Sequence, residues 1–292
     1  MKAFKGFNKD LTCRGFQYEV GETYEEEKAE LCHAGFHACE NPVACLQHYY
    51  PATSVYNEVE LEDVSYEKDA DTKRVGKKIT IGEEIGVPEI CRLTFEYVKE
   101  HCTNENNAEA GNPATAGEDG AATAGEYGAA TAGDHGAATA GYAGAATAGE
   151  YGAAMAGEYG AATAGYAGAA TAGYSGEATA GEYGAATAGY SGAATAGDHG
   201  AATAGKYGAA TAGDHGAATS RGKSATGKQG LSVALGSNVR VKGGIGAVLV
   251  IAEENENDYS VKEFATAIVD GKDIKADTWY KLENGKLVEA DE

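Results

Sequence analysis

Chemistry-bearing side chains crowd one short stretch near the N-terminus: Cys32, His33, His37, Cys39, Cys45 and His48, with Cys13 upstream. Zinc takes four Cys or His ligands, often delivered as closely spaced C-x-x-C pairs. The separations here, Cys32 to Cys39 and His33 to His37, match no finger, yet Cys32, His37, Cys39 and His48 are the metal candidates. A thiol nucleophile needs an adjacent base and a group that orients that base. On that reading His37 and Cys39 are the catalytic candidates, with Cys32 as the alternative thiol. The third reading is plain packing: free cysteines in a reducing compartment are small buried hydrophobes. Gly222-Lys223-Ser224 imitates the end of a phosphate-binding loop, but Ala217 stands where that loop needs its first glycine. No motif calls for a cofactor.

Composition narrows the function classes. The 292 residues carry 23 Lys+Arg against 44 Asp+Glu, a formal charge of -21. Nucleic-acid affinity and attraction to anionic lipid both come from basic side chains, so neither partner is expected. No apolar run approaches the roughly 20 residues that span a bilayer, and Met1 to Lys5 lack a signal peptide's apolar stretch. The expected place is the cytoplasm.

The elements that must position any site are set by a repeat. Threonine recurs every eight residues from Thr115 to Thr219, fourteen positions in phase, with Met155 the only substitution. The unit is A-A-T-A-G-x-x-G, as in Ala121 to Gly128. Its glycine spacing excludes collagen, and two Gly per eight would cost a helix about 1 kcal/mol each relative to Ala. A short strand followed by a turn remains, with glycine expected to supply the turn's positive φ. Alternation places Ala122 and Ala124 on one face, Ala121 and Thr123 on the other. Eight residues cannot enclose an interior, so two copies make each coil of a flat parallel β-solenoid. Seven coils at the ~4.8 Å strand spacing give a rod about 34 Å long.

Alternate turns then fall on opposite edges. One edge carries Tyr127, Tyr142, Tyr159, Tyr174, Tyr190 and Tyr207, the candidate contact surface because tyrosine serves apolar and polar partners alike. A ladder stacking on itself is the equal alternative. The other edge carries Asp134-His135, Asp198-His199 and Asp214-His215. Its last two pairs would sit about one strand spacing apart, ~5 Å, where a divalent metal is conceivable. Outward threonines suggest an ice- or surface-binding array as a further alternative. Burying an alanine methyl is worth only ~1 kcal/mol, whereas ordering eight residues costs roughly 8–16 kcal/mol. A lone thin rod is marginal on these figures, and self-association is the expected remedy.

Flanking composition divides the chain into an α+β domain (1–110), the octapeptide solenoid (111–230) and a small β-rich cap (231–292). Asn41-Pro42 opens a short helix through Tyr50, Tyr56 to Val64 and Lys78 to Ile81 read as strands, and Pro88 opens a second helix. In the cap, Gly246 to Ala252 reads as a buried strand, with Asp270-Gly271 and Asn284-Gly285 as hairpin turns.

Three resemblances bear on function. Ser232 to Val239, following the A-T-A-G copies, resembles the head repeats of trimeric autotransporter adhesins, which implies a β-roll and a homotrimer. The strings Cys13 to Gly21 and Gly35 to Pro42 resemble an uncharacterised domain family of phage and gut-bacterial genomes; this implies a phage or prophage setting and no activity. The Gly35-Phe36-His37 segment is also distantly similar to ADP-ribosyl-transferring folds, which would draft Tyr49, Tyr50 and Glu58 as partners of His37. The leading expectation is a non-enzymatic, self-associating rod that holds two small domains apart and presents them to a protein partner. The alternative is an N-terminal enzyme using the rod to oligomerise. A deep polar pocket around His37 would favour the enzyme, and a filled interior the scaffold.

Overall fold

The computed structural model describes residues 1–66, 72–101, 104–255 and 257–291; Cys102 lies outside them. Strands dominate, in a parallel β-solenoid of about nine turns over residues 107–253 between a small N-terminal domain and C-terminal strands. Among the described residues no helix is long and apolar enough to cross a membrane.

Each coil uses two octads. Ala121 to Ala124 pair in register with Ala137 to Ala140, sixteen residues later, and Ala145 to Ala148 pair with Ala161 to Ala164 on the opposite sheet. Inward alanines from both sheets, among them Ala122, Ala130, Ala138 and Ala146, form one continuous buried column. Nothing larger than a methyl stands between the sheets over this stretch.

The turns follow a rule different from the expected one. No glycine of the G-x-x-G turns from Gly117 to Gly216 has positive φ. The left-handed conformation falls instead on the second variable residue, for example Tyr127 (φ 56), His135 (φ 56) and Ser175 (φ 50). Its amide bonds forward to the next coil, as Tyr127 N to Tyr142 O at 2.8 Å. The glycines are there for space: a Cβ on Gly128 would sit 2.8 Å from Ala124 Cβ and 2.9 Å from Asn112 O. That leaves a non-glycine residue in αL, at a cost of roughly 1–2 kcal/mol.

Parallel pairing also continues past residue 230. Leu231 to Gly236 pair with Val248 to Glu253, and the interior changes from alanine to Val239, Val241, Leu249 and Ile251. Ser224 and Ser232 mark the changeover, their buried hydroxyls donating to Ala218 O (2.9 Å) and Ser224 O (2.8 Å). Val261–Ile268 then runs antiparallel to Val248–Glu254 and ends the stack. Asn284-Gly285 is the expected hairpin turn, both residues at positive φ. Asp270-Gly271 is not: no strand pair flanks it, and Asp270 Oδ1 instead accepts the amides of Lys272, Asp273 and Ile274.

The N-terminal domain contains β1 (Lys2–Asn8), β2 (Thr23–Glu25), β3 (Phe36–Cys39), α1 (Cys45–His48), β4 (Ser54–Val64), β5 (Lys73–Glu84) and α2 (Val87–His101). Strand β5 pairs with both β3 and β4, and β1 joins those two, so the sheet closes on itself. Asn41 caps the expected helix by accepting Val43 N at 3.3 Å. That helix is a 3-10 turn, Pro42–Ala44, followed by the four residues of α1.

The domain is not held off the rod. It lies on it: Val43, Leu46, Ile90 and Leu93 share a core with Ala169, Ala185 and Ala201, and Val98 packs with Ala137 and Ala153. Outward alanines of one sheet are therefore buried, whereas Ala145, Ala161 and Ala193 of the other are exposed.

A paired substitution tests the methyl-only interior. Ala162→Leu, pointing inward, is expected to destabilise by about 1–3 kcal/mol or more, because overpacking displaces backbone. Ala161→Leu, one residue away and exposed, should stay within about 0.5 kcal/mol. Thermal denaturation followed by circular dichroism would reject the two-sheet interior if the variants behaved alike.

Candidate functional site

A cleft of about 590 Å³ opens in the N-terminal domain, and Cys13, Cys32, His33, His37, Cys39, Cys45 and His48 all line it. Its other walls come from Phe4 and Lys5 of β1, the Arg14 to Tyr18 hairpin, Tyr24, Glu26, Tyr49 and Lys73. The glycine in β1 makes room: a Cβ on Gly6 would lie 2.5 Å from Tyr49 Cβ, so the tyrosine ring crosses the strand only there. Tyr49 is held by its hydroxyl donating to Cys13 Sγ (2.8 Å). Tyr18 packs edge-on against Phe16 and Tyr24, with ring centroids 4.8 and 5.0 Å away. Burial raises the Tyr18 hydroxyl to a pKa of about 12.

Proximity of the Cys and His side chains does not make them a reactive pair. His37 Nε2 accepts the Cys32 amide at 2.8 Å, and Nδ1 donates to Gly35 O at 3.1 Å. Both nitrogens are thus spent on fixing the loop, and the bonds assign the Nδ1-protonated neutral tautomer. Burial lowers the His37 pKa, as do the Lys5 ammonium and the Arg14 and Lys73 charges. Cys39 is buried, and its pKa is pushed well up by the hydrogen bond with Cys45 and by burial, with His48 acting the other way. A protonated thiol is a poor nucleophile. Cys32 is exposed and Cys39 buried, and among the described residues no group of three His, Cys, Asp or Glu is arranged to hold a metal ion.

The residues drafted through the ADP-ribosyl resemblance separate. Tyr49 stays in the cleft, Glu58 pairs with Lys2 at 2.8 Å, and Tyr50 turns to the rod, where its ring lies 4.2 Å from His199 and 6.3 Å from Tyr183. The structure assembles no constellation around His37 from them.

On the rod, Tyr127, Tyr142, Tyr159, Tyr174, Tyr190 and Tyr207 form one ladder along an edge, with successive ring centroids 5.3–5.7 Å apart. A second ladder on the opposite edge escaped the sequence reading: His135, Tyr151, Tyr166, Tyr183, His199 and His215, at 4.9–5.8 Å. The signal is in the sequence, since every turn of this parity from residue 134 to 215 carries a His or a Tyr, but rings of two types at two positions of the turn do not read as one row. His199 and His215 stack at 5.0 Å as the spacing requires. Their aspartates are engaged elsewhere, Asp198 Oδ1 accepting Asp214 N (2.8 Å) and Asp214 Oδ1 accepting Lys228 N (2.7 Å).

Two measurements check these assignments. A histidine whose folded pKa is depressed favours the folded state above the unfolded value, near 6.5, and loses that contribution as pH falls through the folded value. His37→Gln should therefore cost about 1–2 kcal/mol at pH 7.5, for two hydrogen bonds, with the deficit narrowing steadily below pH 6. Peptide-level alkylation of the native protein should label Cys32 at least tenfold faster than Cys39, Cys45 or Cys91; fast labelling of Cys39 would restore the nucleophile reading.

Residues 1–93 match a family described as a domain of unknown function, DUF7666. The match spans about a third of the chain, taking in the whole cleft and the start of α2 but none of the rod. No curated protein and no solved structure matches the chain.

Proposed function

We propose that this is a non-enzymatic binding protein, in which the solenoid is a rigid platform carrying the N-terminal domain and joining copies of the chain. One observation carries the reading. The sheet face on which α2 lies continues toward the C-terminus as an apolar surface, shared through the pairings of three adjacent strands: Leu231, Val233 and Val250 are half-buried on it, and Val248, Phe264 and Ile268 are exposed. Phe264 and Ile268 are 68% and 63% exposed.

The occupant proposed for this patch is a second copy of the same chain. Two molecules of formal charge -21 repel nearly everywhere, so they can meet only where a surface is neutral, and both ladder edges bear carboxylates such as Glu126, Glu158, Asp134 and Glu182. Continuity with the α2 contact argues the same way, since that face already buries apolar surface within one chain. Each Val, Leu, Ile or Phe covered there is worth up to ~1.5–3 kcal/mol. The remedy expected for a marginal rod is then shared between the docked domain and a neighbouring copy, as a homotrimer if the adhesin resemblance extends to assembly. A phage or prophage setting belongs to the same proposal. The Tyr127 to Tyr207 edge supplies a contact strip for a protein partner.

The two other readings have less support. The cleft meets the condition set for an enzyme, but His37 is locked by the backbone and Cys39 is a buried thiol. An ice-binding array needs an unbroken face; α2 covers one threonine sheet, and Glu177 interrupts the outward alanine row of the other.

Size-exclusion chromatography with light scattering at about 50 μM tests the proposal. A mass of two or three chains is expected, and Phe264→Lys with Ile268→Lys should weaken association at least tenfold. A monomer at that concentration would overturn it.

A further inference from the structure

We infer that the N-terminal cleft is a binding site for a small organic anion that also carries an aromatic ring, a molecule of nucleoside monophosphate size. The assignment starts at Lys5. It lies on β1 on the same side as Ala3 and Phe7, is 8% exposed, and lines the cleft. Burying an ammonium costs several kcal/mol unless it is paired. Among the described residues its hydrogen bond is to His37 O at 2.8 Å, with the Phe7 ring 5.5 Å away. Among the described residues no carboxylate lies within ion-pair reach of it. Two N–H groups of a buried cation are therefore left to a ligand's oxygens.

The cation is not alone. Arg14 and Lys73 line the same cleft, and Arg14 has no carboxylate partner among the described residues. All three line the cleft together with His37, and their charge adds to burial in lowering its pKa. In a chain of net charge -21 such a concentration of positive charge is a local anomaly. An anion converging on a buried Lys and a surface Arg is the interaction these groups are suited to make. Glu25 and Glu26 also line the cleft; Glu26 Oε2 is occupied by the Gly35 amide at 3.1 Å.

The other half of the ligand follows from the walls. Phe16 is half exposed at the cleft, braced edge-on by Tyr18 and Tyr24 at 4.8 and 5.4 Å. A half-exposed ring braced in this way is a stacking platform for a nucleobase. The volume, about 590 Å³, lies within the ~300–1,000 Å³ range of small-molecule sites. Neither His37, whose two ring nitrogens are bonded to backbone, nor the buried Cys39 is placed to attack such a ligand.

The test uses the full chain and isothermal titration calorimetry with three probes: 5′-AMP, adenosine and inorganic phosphate. 5′-AMP is expected to bind with a Kd on the order of 10–500 μM, and the other two at least tenfold more weakly, a ratio equal to about 1.4 kcal/mol. Arg14→Ala and Phe16→Ala, both at exposed positions, should each weaken 5′-AMP three- to tenfold, and Lys5→Met more than tenfold. If Lys5→Met fails to fold, the two surface variants still decide. Phosphate binding as tightly as 5′-AMP would overturn the aromatic half, and adenosine binding as tightly would overturn the anionic half. No saturation by 5′-AMP at 5 mM, or indifference to both surface variants, would overturn the site. Oligomeric mass enters none of these readouts, so failure here is distinct from failure of the assembly proposal.

Discussion

The structure depends on how closely two sheets of the solenoid approach. With Ala122, Ala124, Ala130, Ala132 and their repeats as the inward side chains, the interior is one methyl deep from each side. Every other feature of the rod follows from that closeness. Turns must fold back within four residues, glycines must flank them because a Cβ would strike the neighbouring coil, and the left-handed residue is left to a tyrosine, histidine, serine, alanine or aspartate. Dispersion forces alone do not hold so thin a layer; unbroken coil-to-coil hydrogen bonding, through strands and turns alike, supplies the remainder.

The aromatic ladders make sense in this light. A side chain in αL carries a conformational cost in each turn, and ring stacking at 5–6 Å returns about 0.5–1.5 kcal/mol per pair. The strand spacing places the rings in register, so stabilisation is cooperative along the edge. Tyr50 adds one ring from outside the repeat, which ties the N-terminal domain to the histidine ladder at His199.

Docking of the domain changes the energetic question posed by the repeat. Seen alone, the octads bury too little to compensate their ordering. With α2 against Ala137, Ala153, Ala169, Ala185 and Ala201, one sheet is buried on both faces. Cys91 illustrates the fit: it is fully buried at this contact, accepts the Thr187 hydroxyl at 3.4 Å, and has its pKa raised to about 11 by burial. A substitution in α2 therefore bears on the stability of strands ninety residues away.

Much of this was legible in the residues themselves. The two-octad coil, the inward and outward alanines, the tyrosine edge, α2 from Pro88 and the Asn284-Gly285 hairpin all follow from period and turn chemistry, which act over a few residues. The glycine role was misread because sequence shows which residue tolerates positive φ and not which one has a neighbour 2.8 Å away. His37 and Cys39 were visible as candidates, but whether an imidazole is free or locked depends on amides such as that of Cys32, which only the folded loop brings near. Lys5 gave no signal at all: a lysine in a strand reads as solvated until closure of the sheet buries it. Local periodicity thus determined the repeat and its edges by itself. Tertiary contact alone decided where the N-terminal domain sits, which apolar face stays partly exposed and which charge is left unpaired, because each depends on residues far apart in the chain meeting at short range.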